Sequence, residues 1–159
     1  MMKQRISAGG ILIQDNKVLL VHHFRENEYD FWVMPGGGMK GEEGIFRCAE
    51  REVGEETGLK VRAEKIAYIE ELIDEGHYVC KAWVVCRLVS GALSTAGRDV
   101  DEGYLQGAEF FSKAEVQNMV VYPTILKDTF WRDLEAGFPE IRYLGYSGQD
   151  IPPGLDPLG

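Results

Sequence analysis

Gly37–Leu59, GGMKGEEGIFRCAEREVGEETGL, is the stretch that decides the fold. It sets Gly37 ahead of Glu43, and Glu43 ahead of the run Arg51-Glu52-Val53-Gly54-Glu55-Glu56-Thr57-Gly58-Leu59. That order is a glycine loop feeding a helix with a carboxylate cluster. At about 100° per residue, Ile45, Phe46, Ala49 and Val53 share one apolar stripe, while Arg47, Glu50, Arg51 and Gly54 lie largely opposite it. The stripe predicts the packing face. Glu56 projects between Ile45 and Ala49, Glu52 falls at the edge of the stripe and Glu55 flanks Glu52, so three carboxylates crowd the seam between core and water. Like charges there repel and lose hydration, a cost that a cation or a phosphate-bound metal offsets. Oxygen donors at this density suit magnesium or manganese.

The 159-residue chain is long enough to bury a core of its own and reads as one domain over 1–137, followed by a proline-bearing extended arm over 138–159. Its hydrophobic fraction of 45% is that of a globular protein. No run of about 18 apolar residues could span a membrane, and MMKQRISAGG has no secretory apolar region, so a cytoplasmic location is expected. Cys48, Cys80 and Cys86 are odd in number and form no C-x-x-C pair; they read as small buried apolar side chains. Seventeen basic against twenty-six acidic residues give a net charge of -9, without a basic stripe interleaved with aromatics. That balance excludes a long nucleic acid as partner. A small polyphosphate fits only if it arrives with a divalent metal.

Ile6–Ile13 and Lys17–Phe24, split by Gln14-Asp15-Asn16, predict a hairpin, and Phe31–Met34 a short strand. Val61–Ile73 and His77–Val89 predict long strands joined at Asp74-Glu75-Gly76. On the second of these, Tyr78, Cys80, Ala82, Val84, Cys86 and Leu88 form an apolar side, with Lys81, Trp83 and Arg87 on a side that would face a cleft. A strand is expected around Tyr104–Phe111, a capped turn of helix from Ser112 with Glu115, and a helix from Pro123 to Gly137. Elements in this order predict an α/β fold, a mixed β-sheet covered by helices on both sides.

All nine fixed positions of Gly37–Leu59, with Pro35-Gly36-Gly37-Gly38 in front, resemble the signature of the Nudix hydrolases, and the likeness runs from about Ala8 to about Val116. The resemblance implies an α/β/α sandwich. It implies a pyrophosphohydrolase that uses magnesium or manganese to cleave the phosphoanhydride of a nucleoside diphosphate linked to another moiety, the alternative being a Nudix-fold module that senses a nucleotide without cleaving it. Carried over by position, Glu52, Glu55 and Glu56 ligate metal with a backbone carbonyl at Gly36 or Gly37, and Glu52 is a ligand or the general base. Arg51 and Glu43 tie loop to helix and orient the ligands. Some members take the base from a loop before a late strand, and Asp101-Glu102 followed by Gly107-Ala108-Glu109 resembles that segment, which makes Glu102 the candidate base. Arg25, Lys81 and Arg87 are candidate substrate contacts, His22 and His23 must point to opposite faces, and the protein is expected as a monomer or homodimer.

Overall fold

The computed structural model describes residues 2–74, 76–94 and 105–147. Their strands form two sheets. The first has the order β10-β6-β7-β1-β5, built from β1 (Lys3–Ile11), β5 (Gly36–Gly38), β6 (Leu59–Asp74), β7 (His77–Gly91) and β10 (Arg142–Tyr146). The second runs β2-β3-β4-β9 with β8 also on β3, from β2 (Ile13–Gln14), β3 (Lys17–Arg25), β4 (Tyr29–Val33), β8 (Leu105–Phe111) and β9 (Val121–Tyr122). Both mix parallel and antiparallel pairs. The α/β expectation holds, with the mixed pairing divided over two sheets instead of one.

The expected hairpin is mostly overturned. Only Ile13–Gln14 pairs with Lys17–Val18, through Asp15 and Asn16 at positive φ. β1 itself leaves for the first sheet, parallel to β7 from Lys3↔His77 to Ile11↔Val85. Its Gly9 and Gly10 explain why it can sit in the middle of the molecule. A Cβ at Gly9 would lie 2.2 Å from Cζ3 of Trp83, and one at Gly10 2.5 Å from Cγ2 of Val53, so only glycine lets both approach. The β6–β7 hairpin forms as expected, closing at Asp74↔His77 with Gly76 at φ 84°.

Helix α1 (Ile45–Thr57) lies on one face of the first sheet, with Cys48, Ala49 and Val53 packed against Ala8, Val84 and Cys86. Its buried stripe is rotated from the projected one. Phe46 is exposed, whereas Glu52 and Glu56 are buried with Cys48, Ala49 and Val53. On the other face, Tyr68 and Trp83 meet Leu126, Phe130 and Phe138 in the second core. β7 is therefore covered on both sides, and Trp83 is core rather than the wall of an open cleft.

Ser112 and Glu115 make the expected capping box at α2 (Lys113–Val116). The helix predicted from Pro123 is interrupted at Asp128, whose backbone (φ -147°, ψ -86°) ends a 3-10 turn at Thr124–Lys127. The Asp128 side chain then caps α3 (Thr129–Glu135). Residues 138–147 are not an arm. Phe138 is buried against Tyr68 and Phe130, β10 pairs parallel with β6, and Arg142 grips Asp133 through two hydrogen bonds of 3.0 and 2.7 Å. Apolar alternation is too short in this segment to show in the sequence. No helix among the described residues is long and apolar enough to cross a membrane.

Candidate functional site

β5 borders β1 at the sheet edge, with Ala8↔Gly37 and Gly9↔Gly36 in register, and α1 runs beneath it. This brings the glutamates of α1 under the glycine loop. A Cβ at Gly37 would stand 2.6 Å from Oε1, 2.7 Å from Cδ and 2.8 Å from Oε2 of Glu52. The absence of a side chain at 37 is what lets the carboxylate occupy that space. Glu56 is 3% exposed, accepts from the Gly36 N–H, and leaves Oε2 without a hydrogen-bond partner among the described residues. Burial first, and the neighbouring Glu52 charge second, push its carboxyl well above the usual range, with Lys81 and the Gly36 N–H opposing.

Arg51 organises the outer half. Its Nε and Nη2 donate to the two oxygens of Glu43 at 2.9 and 2.6 Å, and Nη2 also reaches the Gly38 carbonyl at 3.0 Å. Nη1 donates to Glu52 at 2.8 Å and to the half-exposed Glu55 at 3.1 Å. One guanidinium therefore links the loop, the loop's carboxylate and two helix carboxylates. Hydrogen bonds from Arg51 and from the Lys40 N–H hold Glu43 down at about 2. Reciprocally, these partners push Arg51 above its ordinary value. The Cys48 thiol, pushed up to about 11 chiefly by burial, donates to the Gly37 carbonyl at 3.5 Å.

The structure thus gathers Gly37, Glu43, Arg51, Glu52, Glu55 and Glu56 at one place. Among the described residues no three or more His, Cys, Asp or Glu side chains stand ready-made around one point. The donor set nevertheless fits a hard divalent cation. Glu52 and Glu56 are a buried like-charged pair, and the second oxygen of Glu56 has no other partner.

The substrate candidates do not stay together. Lys81 is buried, its Nζ 4.4 Å from the ring centre of Trp83. Arg87 lies six residues further along β7, about 20 Å at about 3.3 Å per residue. There it borders a shallow recess of about 660 Å³ with Leu134 and Phe138. Arg87 is thereby removed from the carboxylates, and Lys81 and Arg87 cannot share one phosphate. Arg25, at the end of β3, pairs with Glu28 at 3.5 Å and sits 5.9 Å from the Tyr29 ring. Asp101 and Glu102 lie outside the described residues. The two histidines do point apart: His22 stacks on Trp32 and bonds Asp30 at 2.6 Å, whereas His23 is buried on Phe31. Ser7 and Glu70 escaped the sequence reading, because only strand register brings them beside Lys81.

The sequence model of the NUDIX domain matches residues 3–128. The chain is 27% identical to the Nudix hydrolase YvcI of Bacillus subtilis over 114 residues, 71% of this chain and 69% of that protein. It is 29% identical to an ADP-ribose pyrophosphatase of Methanocaldococcus jannaschii over 126 residues, 77% of this chain and 71% of that one. A solved NUDIX hydrolase from Nitrosomonas europaea superposes with a TM-score of 0.67 at 25% identity, covering 89% of this chain and 93% of that chain. A match of that extent makes the chain a member of the Nudix hydrolase family.

Proposed function

We propose that this Nudix hydrolase is a magnesium- or manganese-dependent pyrophosphohydrolase that cleaves the phosphoanhydride of a nucleoside diphosphate linked to another moiety. The observation that carries the reading is the buried Glu52–Glu56 pair under Gly36-Gly37, with the orphaned Oε2 of Glu56. Likeness to an ADP-ribose pyrophosphatase supports the substrate class.

Glu52 and Glu56 would hold the metal, with Glu55 joining from the rim as it leaves Arg51. When bound, the ion supplies charge neutralisation for the diphosphate and acidifies water in its shell. Arg51, clamped on Glu43 and the Gly38 carbonyl, keeps the Glu52 oxygens aimed toward the loop. Glu102 is the proposed base: it takes the proton of the attacking water, whose oxygen bonds to phosphorus as the bridging P–O bond breaks and its electrons leave with the departing phosphate. Lys81, the one buried lysine or arginine among the described residues, and Arg25 are the proposed substrate contacts. The site would work in the cytoplasm, in a monomer or homodimer.

Incubation with a panel of nucleoside diphosphate sugars and dinucleoside polyphosphates, in magnesium and in manganese, tests the reading. Mass spectrometry should find a nucleoside monophosphate among the products. Turnover that persists in excess chelator, or that spares every phosphoanhydride, would overturn it.

A further inference from the structure

Strand β1 carries a cation that no carboxylate answers. Arg5 is partly withdrawn from water, and among the described residues its guanidinium makes no hydrogen bond and no ion pair. Arg51, screened to a similar degree, holds three carboxylates. In a chain with twenty-six acidic against seventeen basic residues, a half-dehydrated guanidinium left alone loses hydration for no return unless an anion joins it.

Its place is set by a second glycine of the loop. A Cβ at Gly38 would fall against Nη2, Nε and Cζ of Arg5, so the guanidinium fills the space that any other residue at 38 would claim. Gly38 is the direct partner of Ser7 across the β1–β5 pair, and direct partners carry their Cβ positions about 5 Å apart on one face. The head of Arg5 therefore lies about that far from Ser7, which shares its face of β1. The Ser7 hydroxyl is fully buried and has no hydrogen-bond partner among the described residues. A donor in that state calls for an acceptor. The side chains directly across on β7 offer none: Ser7 faces Lys81, whose ammonium lies over the Trp83 ring, and Arg5 faces the buried Val79.

A planar fork of N–H donors and a hydroxyl about 5 Å away, with no carboxylate between them, suit one tetrahedral oxyanion bridging the two by bonds of about 2.8 Å. The place adjoins the glutamates. Gly37 turns toward Glu52, and Gly38, about 3.8 Å further along, turns toward Arg5 on the opposite face of β5. β5 is the last strand of its sheet, so a ligand can lie across its edge. We propose that Arg5 and Ser7 form an anion site that holds a phosphoryl group of the substrate outside the shell of the metal, the flexible guanidinium swinging off Gly38 as the anion enters. Metal on one face of β5 and arginine on the other then select substrates that carry phosphate on both sides of the bond to be broken. This inference rests on the pyrophosphohydrolase reading for the identity of the anion.

Imidodiphosphate, in which nitrogen bridges the two phosphorus atoms, tests the site without turnover. Calorimetric titration in magnesium should give a Kd about tenfold or more weaker for Arg5→Gln than for the parent, with Arg5→Lys between them because it keeps the charge and loses the fork. Ser7→Ala should weaken binding by about fivefold, while its ligand-free Tm stays at or above that of the parent, since an orphaned buried hydroxyl has been removed. A parent that does not bind imidodiphosphate, a folded Arg5→Gln that binds it as tightly as the parent, or a ligand-free Arg5→Gln that melts several degrees lower overturns the inference; the last outcome would make Arg5 a structural residue. A protein that holds imidodiphosphate through Arg5 but cleaves no phosphoanhydride keeps the anion site and removes the hydrolytic reading instead.

Discussion

The Glu52 carboxylate occupies the space that a Cβ at position 37 would need, with all three of its head atoms within 2.8 Å of that point. Helix and loop are therefore matched to each other through a missing side chain. Gly37→Ala must displace Glu52 or the loop, and a shift of about 1 Å at a reacting centre costs about a hundredfold in rate. Purified Gly37→Ala should keep its circular dichroism and lose at least that factor in kcat. An unchanged kcat would mean that Glu52 is not aimed by the loop.

Removing the like-charge burial should separate stability from activity. Glu56→Gln keeps the side-chain volume but removes one of the two buried charges, so the variant should melt slightly higher than the parent in chelator. It should also lose most turnover. Adding millimolar magnesium or manganese should raise the Tm of the parent and leave that of the variant nearly unmoved. A parent Tm indifferent to both ions would remove the metal site.

Acid should destabilise the fold in two windows. His23, ordinarily near 6.5, is held at about 3 by burial, Lys81 and His22, so between those values the unfolded chain takes up a proton that the folded chain refuses. Its contribution is complete above about 6.5 and fades as the pH falls toward 3. Glu43, held at about 2 instead of 4.5 chiefly by Arg51, contributes fully above about 4.5 and loses its share as the pH falls toward 2. Tm measured from pH 8 to 3 should decline in both ranges. Glu43→Gln should flatten the lower range alone; an unaltered lower slope would show that the Arg51 pair carries no linkage.

Glu102→Gln tests the base. Loss of a proton acceptor used in the transition state should lower kcat by about a hundredfold or more with little change in KM. If Glu102→Gln keeps full kcat while Glu52→Gln loses it, the base lies on α1.

The clustering of the candidate ligands was legible because these residues are close in sequence and their spacing is set by one helix. Gly37, Glu43, Arg51, Glu52, Glu55 and Glu56 stand beside one another, as their spacing predicts. What depends on register was not legible. Nothing local in KQRISAGGI says that β1 pairs with β7 instead of folding back on β3, so the row Ser7–Lys81–Glu70 could not be foreseen. The projection of α1 failed at Phe46 for a related reason. It set Glu56 within the stripe and Glu52 at its edge, where both are buried, but sequence alone does not show that packing against the sheet and the glycine loop draws Cys48 in and turns Phe46 out. The arm was misread because prolines at 139, 152, 153 and 157 outweighed the single buried ring of Phe138.

That ring gives the C-terminal segment a meaning for how the protein is handled and how it diverges. The region shared with the family ends at residue 128, yet Phe130 and Phe138 seal the face of Tyr68 and Trp83 from beyond that limit. Chemistry and cohesion are thus separated along the chain. A fragment cut at the family boundary would retain every glutamate of α1 and expose the Trp83 ring on which Lys81 rests, so it would carry the reactive groups without the floor that holds the row beside them in place. Substitutions at Phe130 or Phe138 would then loosen the floor under the Trp83 ring, and with it the seat of Lys81, without touching a glutamate of α1.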